Sequence, residues 1–229
     1  MDPDPEIDRM LDWEIEQIIH GIAACLTGQH GFADFQEEYT FYILKDTDEP
    51  VCFEVPYHYS PFTVAGLKGM LEFSHGPEVN YMSAPLLAED KGIAVEETRA
   101  DGGTYRNLLE LSITSSGGRE TVTVCGTVTE EGRQRVVKLD GYPIEFVPEG
   151  VVLLFSNHDR PGVIGKVGTL LGEAGSNIAN FALGRKNGSG LAVAALQIDN
   201  DVPDKVVETF KADADLLWAV KVDFSEAAR

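Results

Sequence analysis

"NHDRPGVIGKVGTLLGEAGSN", residues Asn157 to Asn177, sets a proline–glycine step before a stretch of helical periodicity that contains three glycines. Each glycine inside a helix costs about 1 kcal/mol relative to alanine, so the pattern calls for a reason. A dinucleotide fingerprint needs G-x-G-x-x-G at a strand-to-helix turn, but Gly162, Gly165, Gly168 and Gly172 are spaced three, three and four apart. A P-loop needs Gly-Lys followed by serine or threonine, and here Gly165-Lys166 is followed by Val167. The phosphate cradle is rejected. Spacings of three and four put Gly165, Gly168 and Gly172 on one helical face, which lets the helix lie close against a sheet or a partner backbone.

Outward from this stretch, Val151–Ser156 reads as a buried strand and Gly162–Ala174 as the helix. Strands at Asn177–Leu183 and Leu191–Ile198 flank the turn RKNGSG. A helix over Val202–Lys211, with Pro203 near its start, and a strand over Leu217–Phe224 complete the order β-α-β-β-α-β. That order is the ferredoxin-like unit, here over residues 150–229.

Residues 1–149 read differently. Apolar positions at helical spacing, among them Met10, Leu11, Ile15, Ile18, Ile19 and Ile22, predict an amphipathic helix over Ile7–Leu26. Phe35–Leu44 and Val51–Tyr59 read as strands, and SPFTVAGLKGMLEF, from Ser60, as a helix with proline in its first turn. A short strand at Val79–Met82 leads to a compact helix in SAPLLAEDKG, capped by its serine. Strands follow at Ala94–Arg99, Tyr105–Thr114, Glu120–Thr129 and Arg135–Phe146, with SSGGRE and EEGR as hairpin connections. The fold class is α+β: an N-terminal domain, 1–149, with an antiparallel sheet, then a ferredoxin-like domain, 150–229.

Charge follows the same division. The net charge is −20, and 28 acidic against 10 basic residues before position 150 leave −18 there. Such a surface repels nucleic-acid backbones and anionic lipid, so neither is expected as a partner; it suits a solvated acidic face or a high-salt habitat. No apolar run approaches the roughly 20 residues that span a bilayer. The acidic start MDPDPEIDRM resembles neither a secretory signal nor a transit peptide, so a soluble, cytoplasmic chain is expected. Cys25, Cys52 and Cys125 form neither a disulfide framework nor a zinc pattern, and no metal is expected.

The start of the 162–174 helix can do chemistry. Its first N–H groups are free and carry partial positive charge, which suits a carboxylate. Asn157 and Asp159 could receive an ammonium or a hydroxyl beside it, and Asn177, opening the next strand, is expected back at the same end of the sheet. Together these residues would make a small zwitterion site. The plainer alternative is that Asp159 caps the helix and Asn177 makes a turn.

SNHDRPGVIGKVGTLLGEAGSNIA resembles the ACT domain, a small-molecule-sensing module of amino-acid-biosynthesis enzymes. Upstream, FTVAGLKGML, VNYMSAPLLAEDKGIAVEE, YRNLLEL and LDGYPIEFVPEG resemble the intervening domain of long-form D-3-phosphoglycerate dehydrogenase. The resemblance runs in matching order over about residues 55 to 229. It implies the regulatory part of that enzyme of serine biosynthesis: an L-serine or other small amino-acid sensor that dimerises through its ACT domains. The implied effector-binding positions are Asn157, Asp159 and Asn177, with backbone around Gly162, Val163 and Ile164.

The NAD-binding and substrate domains of that family have no counterpart here, so no catalytic residue and no cofactor are expected in this chain. NAD belongs to a separate catalytic part, if there is one, and a separate dehydrogenase subunit is a possible partner. Iron–sulfur L-serine dehydratases join similar domains, but their serine-rich segment and cluster cysteines are absent. A third alternative is a structural interaction protein without a ligand. Some relatives bind an anionic effector near the last strand of the intervening domain; GYPIEFVPEG has no basic residue, and only Arg133, Arg135 and Lys138 stand before it.

Overall fold

The computed structural model describes residues 59–98, 105, 108–114 and 121–224, together with the backbone of Tyr42–Ile43 and Val51–Cys52. These two short segments pair as antiparallel strands β1 and β2. The expected helix over Ile7–Leu26, the 35–41 portion of the first expected strand and the SSGGRE connection lie outside the described residues.

Helix α1, Pro61–His75, starts where Ser60 accepts the amide of Thr63 and proline fills the first turn. It packs on α2, Ser83–Asp90, through Leu67, Leu71, Val79, Ala84 and Ala88. Val79–Met82 is no strand. Asn80 Oδ1 accepts the amides of Met82 and Ser83, an Asx turn that bends the chain directly into α2. Residues 94–98 also carry no strand.

The first large sheet is a meander of β3 (Leu108–Thr114), β4 (Thr121–Val128), β5 (Gln134–Leu139) and β6 (Tyr142–Phe146). The expected single strand Arg135–Phe146 is in fact a hairpin. Asp140 and Gly141 both have positive φ, 49° and 79°, as a two-residue type I′ turn requires, and Leu139 pairs with Tyr142 across it. The Asp-Gly pair was the signal for it.

The second sheet has β7 (Val151–His158), β8 (Ile178–Arg185), β9 (Leu191–Ile198) and β10 (Leu216–Asp223) in the order β10-β7-β9-β8, all antiparallel neighbours. Helices α3 (Val163–Glu173) and α4 (Asp204–Lys211) cover one face, completing the ferredoxin-like arrangement. Phe155, Leu153, Leu196 and Ala194 meet Val163, Val167, Leu171 and Phe210 there. The alternate residues Val152, Leu154, Val193, Ala195, Val220 and Val222 face the other way, onto Val122, Val124, Val136, Leu139, Ile144 and Phe146 of the first sheet. β7 is therefore buried on both faces, which is why it reads as an unbroken apolar run.

Of the two surfaces expected for the glycine face, the sheet is not the one it meets. Val163, Val167 and Leu171 form the buried face of α3, whereas a Cβ at Gly165, Gly168 or Gly172 would meet nothing within 4 Å. These three face away from the sheet and allow no close approach to it. Tight packing falls instead on Gly184 of β8, where a Cβ would stand 2.5 Å from the carbonyl oxygen of Pro143 in β6.

Candidate functional site

β7 delivers Asn157 to the end of the second sheet, on its helix-bearing face. The residue is 3% exposed. Its Nδ2 donates to the carbonyl of His158 at 2.7 Å, which fixes the amide's orientation, and its Oδ1 is buried without a hydrogen-bond partner. An orphaned buried acceptor costs about 1–3 kcal/mol. Asn157 thus holds an acceptor ready for an incoming N–H or O–H.

The loop between β7 and α3 is clasped from two sides. The amide of Asp159 donates to the carbonyl of Gly190 in the β8–β9 turn, and the Asp159 carboxylate meets Arg185 at the end of β8, 3.0 Å away. On the other side the amide of His158 donates to the carbonyl of Asp215, while Arg160 reaches the Asp215 carboxylate at 3.8 Å. Lys166, in the first turns of α3, pairs with Asp213. That contact holds the Asp213 carboxyl below the ordinary carboxylate range and the Lys166 ammonium above its ordinary value.

Gly162 caps α3 in the left-handed conformation, φ 97°, with no side-chain hydrogen bond to the cap. The first amides of α3 are therefore left to a ligand or to solvent. Val163 gives its side chain to the core, so only its backbone is available, whereas the side chain of Ile164 is exposed. Five of the predicted positions thus lie together: Asn157, Asp159, Gly162, Val163 and Ile164.

Asn177 does not join them. Asn157 pairs opposite Ala192, whereas Ile178, next to Asn177, pairs opposite Ile198. Six residues of strand put the two asparagines about 20 Å apart along the sheet. A strand–helix–strand crossover returns the chain to the strand's starting end, so Asn177 had to be at the far end. There its Nδ2 donates to Asp199, its amide donates to Asn200 Oδ1 at 3.2 Å, and the neighbouring Ser176 Oγ is buried without a partner.

Sequence reasoning missed Arg185. Its signal lay in the register: Asn157 and Arg185 both stand opposite Ala192 on strands flanking β9, hence on one face of the sheet. Elsewhere, Arg133, Arg135 and Lys138 each pair with a carboxylate, of Glu131, Glu145 and Glu110. Arg135 and Glu145 line a shallow recess of about 290 Å³ with Tyr105 and Thr127. Cys125 is buried and reduced; burial and the Glu110 carboxylate push its thiol up to about 12. Among the described residues no group of three or more His, Cys, Asp or Glu side chains is placed to hold a metal ion. Among the same residues no helix is long and apolar enough to cross a membrane.

Residues 56–140 match the family described as the D-3-phosphoglycerate dehydrogenase intervening domain, and residues 151–215 match the ACT domain family. A D-3-phosphoglycerate dehydrogenase of Synechocystis sp. is 37% identical over 145 residues, 63% of this chain and 26% of that protein. One from Methanocaldococcus jannaschii is 34% identical over 147 residues, 64% of this chain and 28% of the relative. One from Bacillus subtilis is 32% identical over 163 residues, 70% and 30% of the two chains. The chain thus spans less than a third of the length of these relatives.

Proposed function

Because the chain joins a D-3-phosphoglycerate dehydrogenase intervening domain to an ACT domain, as the regulatory part of those enzymes does, we propose that it is an amino-acid-binding regulatory module with L-serine as effector. One observation carries the reading: the buried Asn157 Oδ1 without a partner, beside the Asp159 carboxylate and the open amides of α3. An α-amino acid brings complementary groups. Its ammonium suits Asp159, its carboxylate the helix amides, and a hydroxyl or the remaining ammonium N–H the Asn157 oxygen.

Asn177 enters through a second copy. β8 ends the sheet, with no described strand beside its outer edge. Antiparallel pairing of two such edges about a two-fold axis sets the Ile178 end of one protomer against the Arg185 end of the other. Asn177 of each protomer then closes the site of its partner. The outward Gly165, Gly168 and Gly172 and the exposed Ile164 and Phe181 suit burial against that second copy.

Binding between protomers favours one dimer arrangement, which a catalytic part senses; the module has no catalysis of its own and works without a cofactor. NAD chemistry belongs to a dehydrogenase part outside residues 1–229, on a separate subunit or in the same polypeptide. This fits the length of the relatives.

Isothermal titration of the purified chain with L-serine tests the reading. Binding with micromolar to low millimolar affinity, weakened about ten- to a hundredfold in Asp159→Ala, is the expected result. Absence of heat with L-serine, glycine and the other small amino acids would overturn it in favour of a structural interaction protein.

A further inference from the structure

The last residues of β8 work on two faces at once. Arg185 lies on the helix-bearing side and holds the Asp159 carboxylate at 3.0 Å. Gly184 faces the opposite side, in the Val193 row, where its backbone lies so close to the Pro143 carbonyl and to Ile144 that no side chain fits. Lys186, one residue on, holds its ammonium 6.0 Å from the centre of the Tyr142 ring. The same ammonium stands 3.3 Å from where a Cβ of Gly141 would be and acts on Asp140. Three consecutive residues thus connect the candidate effector site to the β5–β6 hairpin of the first sheet.

We propose that this segment, Gly184–Lys186, carries the state of the Asn157–Asp159 site to the first sheet, with Arg185 as the positioning residue that registers occupancy. In the empty site Arg185 supplies the positive charge that Asp159 requires. A ligand ammonium arriving at Asp159 replaces that charge and releases Arg185, because one partly exposed carboxylate does not hold two cations as well as one. The segment flanking Arg185 then loosens, and the hairpin packed on it opens more often. The relay needs no large movement, since Gly184 and Pro143 are already in contact, and small shifts in a packed contact are transmitted rather than absorbed.

This inference rests on the proposed effector reading, and the experiment separates the two. Amide exchange of the full chain is followed by mass spectrometry over residues 139–146, with and without saturating L-serine, alongside titration calorimetry. L-serine speeds hairpin exchange about two- to fivefold, the range that loss of a partly exposed ion pair supports. Arg185→Ala shows that faster exchange without any ligand and responds no further when L-serine binds. Arg185→Lys, which keeps the charge, behaves as the wild type does. Lys186→Ala still binds L-serine, but its hairpin responds less.

Binding of L-serine without a change at 139–146 would overturn the relay and leave the sensor reading intact. So would an Arg185→Ala chain whose hairpin exchanges as the unsubstituted one does. If L-serine gives no heat, the sensor reading fails, and the ligand-free comparison of Arg185→Ala with the unsubstituted chain still decides whether the coupling exists.

Discussion

The two ends of the second sheet are chemically alike and physically different. Both present an asparagine and an aspartate near a turn. At one end Asn157 is buried with an unused acceptor, and the Asp159 carboxylate is paired with the exposed side chain of Arg185. At the other end Asn177 is exposed, and its amide groups are taken up by Asp199 and Asn200 of the same turn. The first end carries a cost that a ligand would remove. At the second the groups of Asn177 itself are already paired, with the neighbouring Ser176 Oγ left as its buried unpartnered atom, and Asn177 becomes a ligand contact only when another surface is brought to it. A buried, unsatisfied atom marks a binding site better than residue type does.

Substitutions test that contrast, the largest effect first. Asp159→Ala removes a charged hydrogen-bond partner, and L-serine affinity falls about ten- to a hundredfold by calorimetry. Asn157→Leu keeps the branching and the number of heavy atoms and removes the orphan acceptor together with the Nδ2 donor. Its affinity falls about tenfold while its urea midpoint stays at or above that of the unsubstituted chain, because a buried polar cost has gone. A clear drop in that midpoint would show that Asn157 is structural and would break the contrast. Asn177→Ala removes one neutral hydrogen bond to the ligand and costs about three- to tenfold in affinity.

The smallest effect concerns the clasp on the site loop. Asp213 has a lowered folded pKa, so its contribution is present above the ordinary carboxylate range and is lost as pH falls through that lowered value. Lys166→Met removes the larger cause and leaves the backbone hydrogen bond from Asp215. Denaturant midpoints followed from about pH 6 to about pH 3 should therefore fall less in Lys166→Met than in the unsubstituted chain.

Much of this was legible from local pattern. The β-α-β-β-α-β order follows from period and turn chemistry, and the structure has it with strand ends shifted by a residue or two. The helix start at Pro61 was readable because serine and proline act within one turn. Long-range matters were not readable. Nothing local to Arg185 reveals that it lies in the same row as Asn157 two strands away, since register forms only when strands pair. The glycine face of α3 was legible as a face open to close packing, but not which surface it would meet, and the structure turns it away from its own sheet. The 135–146 segment was read through its Asp-Gly turn because alternation continues on both sides of it. The placement of Asn177 was an error of topology: a crossover connection returns to the start of the sheet and not to its end.

The central claim is that an effector is held between the Asn157 end of one protomer and the Asn177 end of another, and mixing variants tests it most directly. Asn157→Ala and Asn177→Ala are each titrated with L-serine alone and then as an equal mixture after subunit exchange. If the site is shared, each variant binds poorly alone, and the mixture regains about a quarter of the full number of sites, one intact site in each heterodimer. If the mixture binds no better than its components, the site does not lie between protomers, and the account is contradicted.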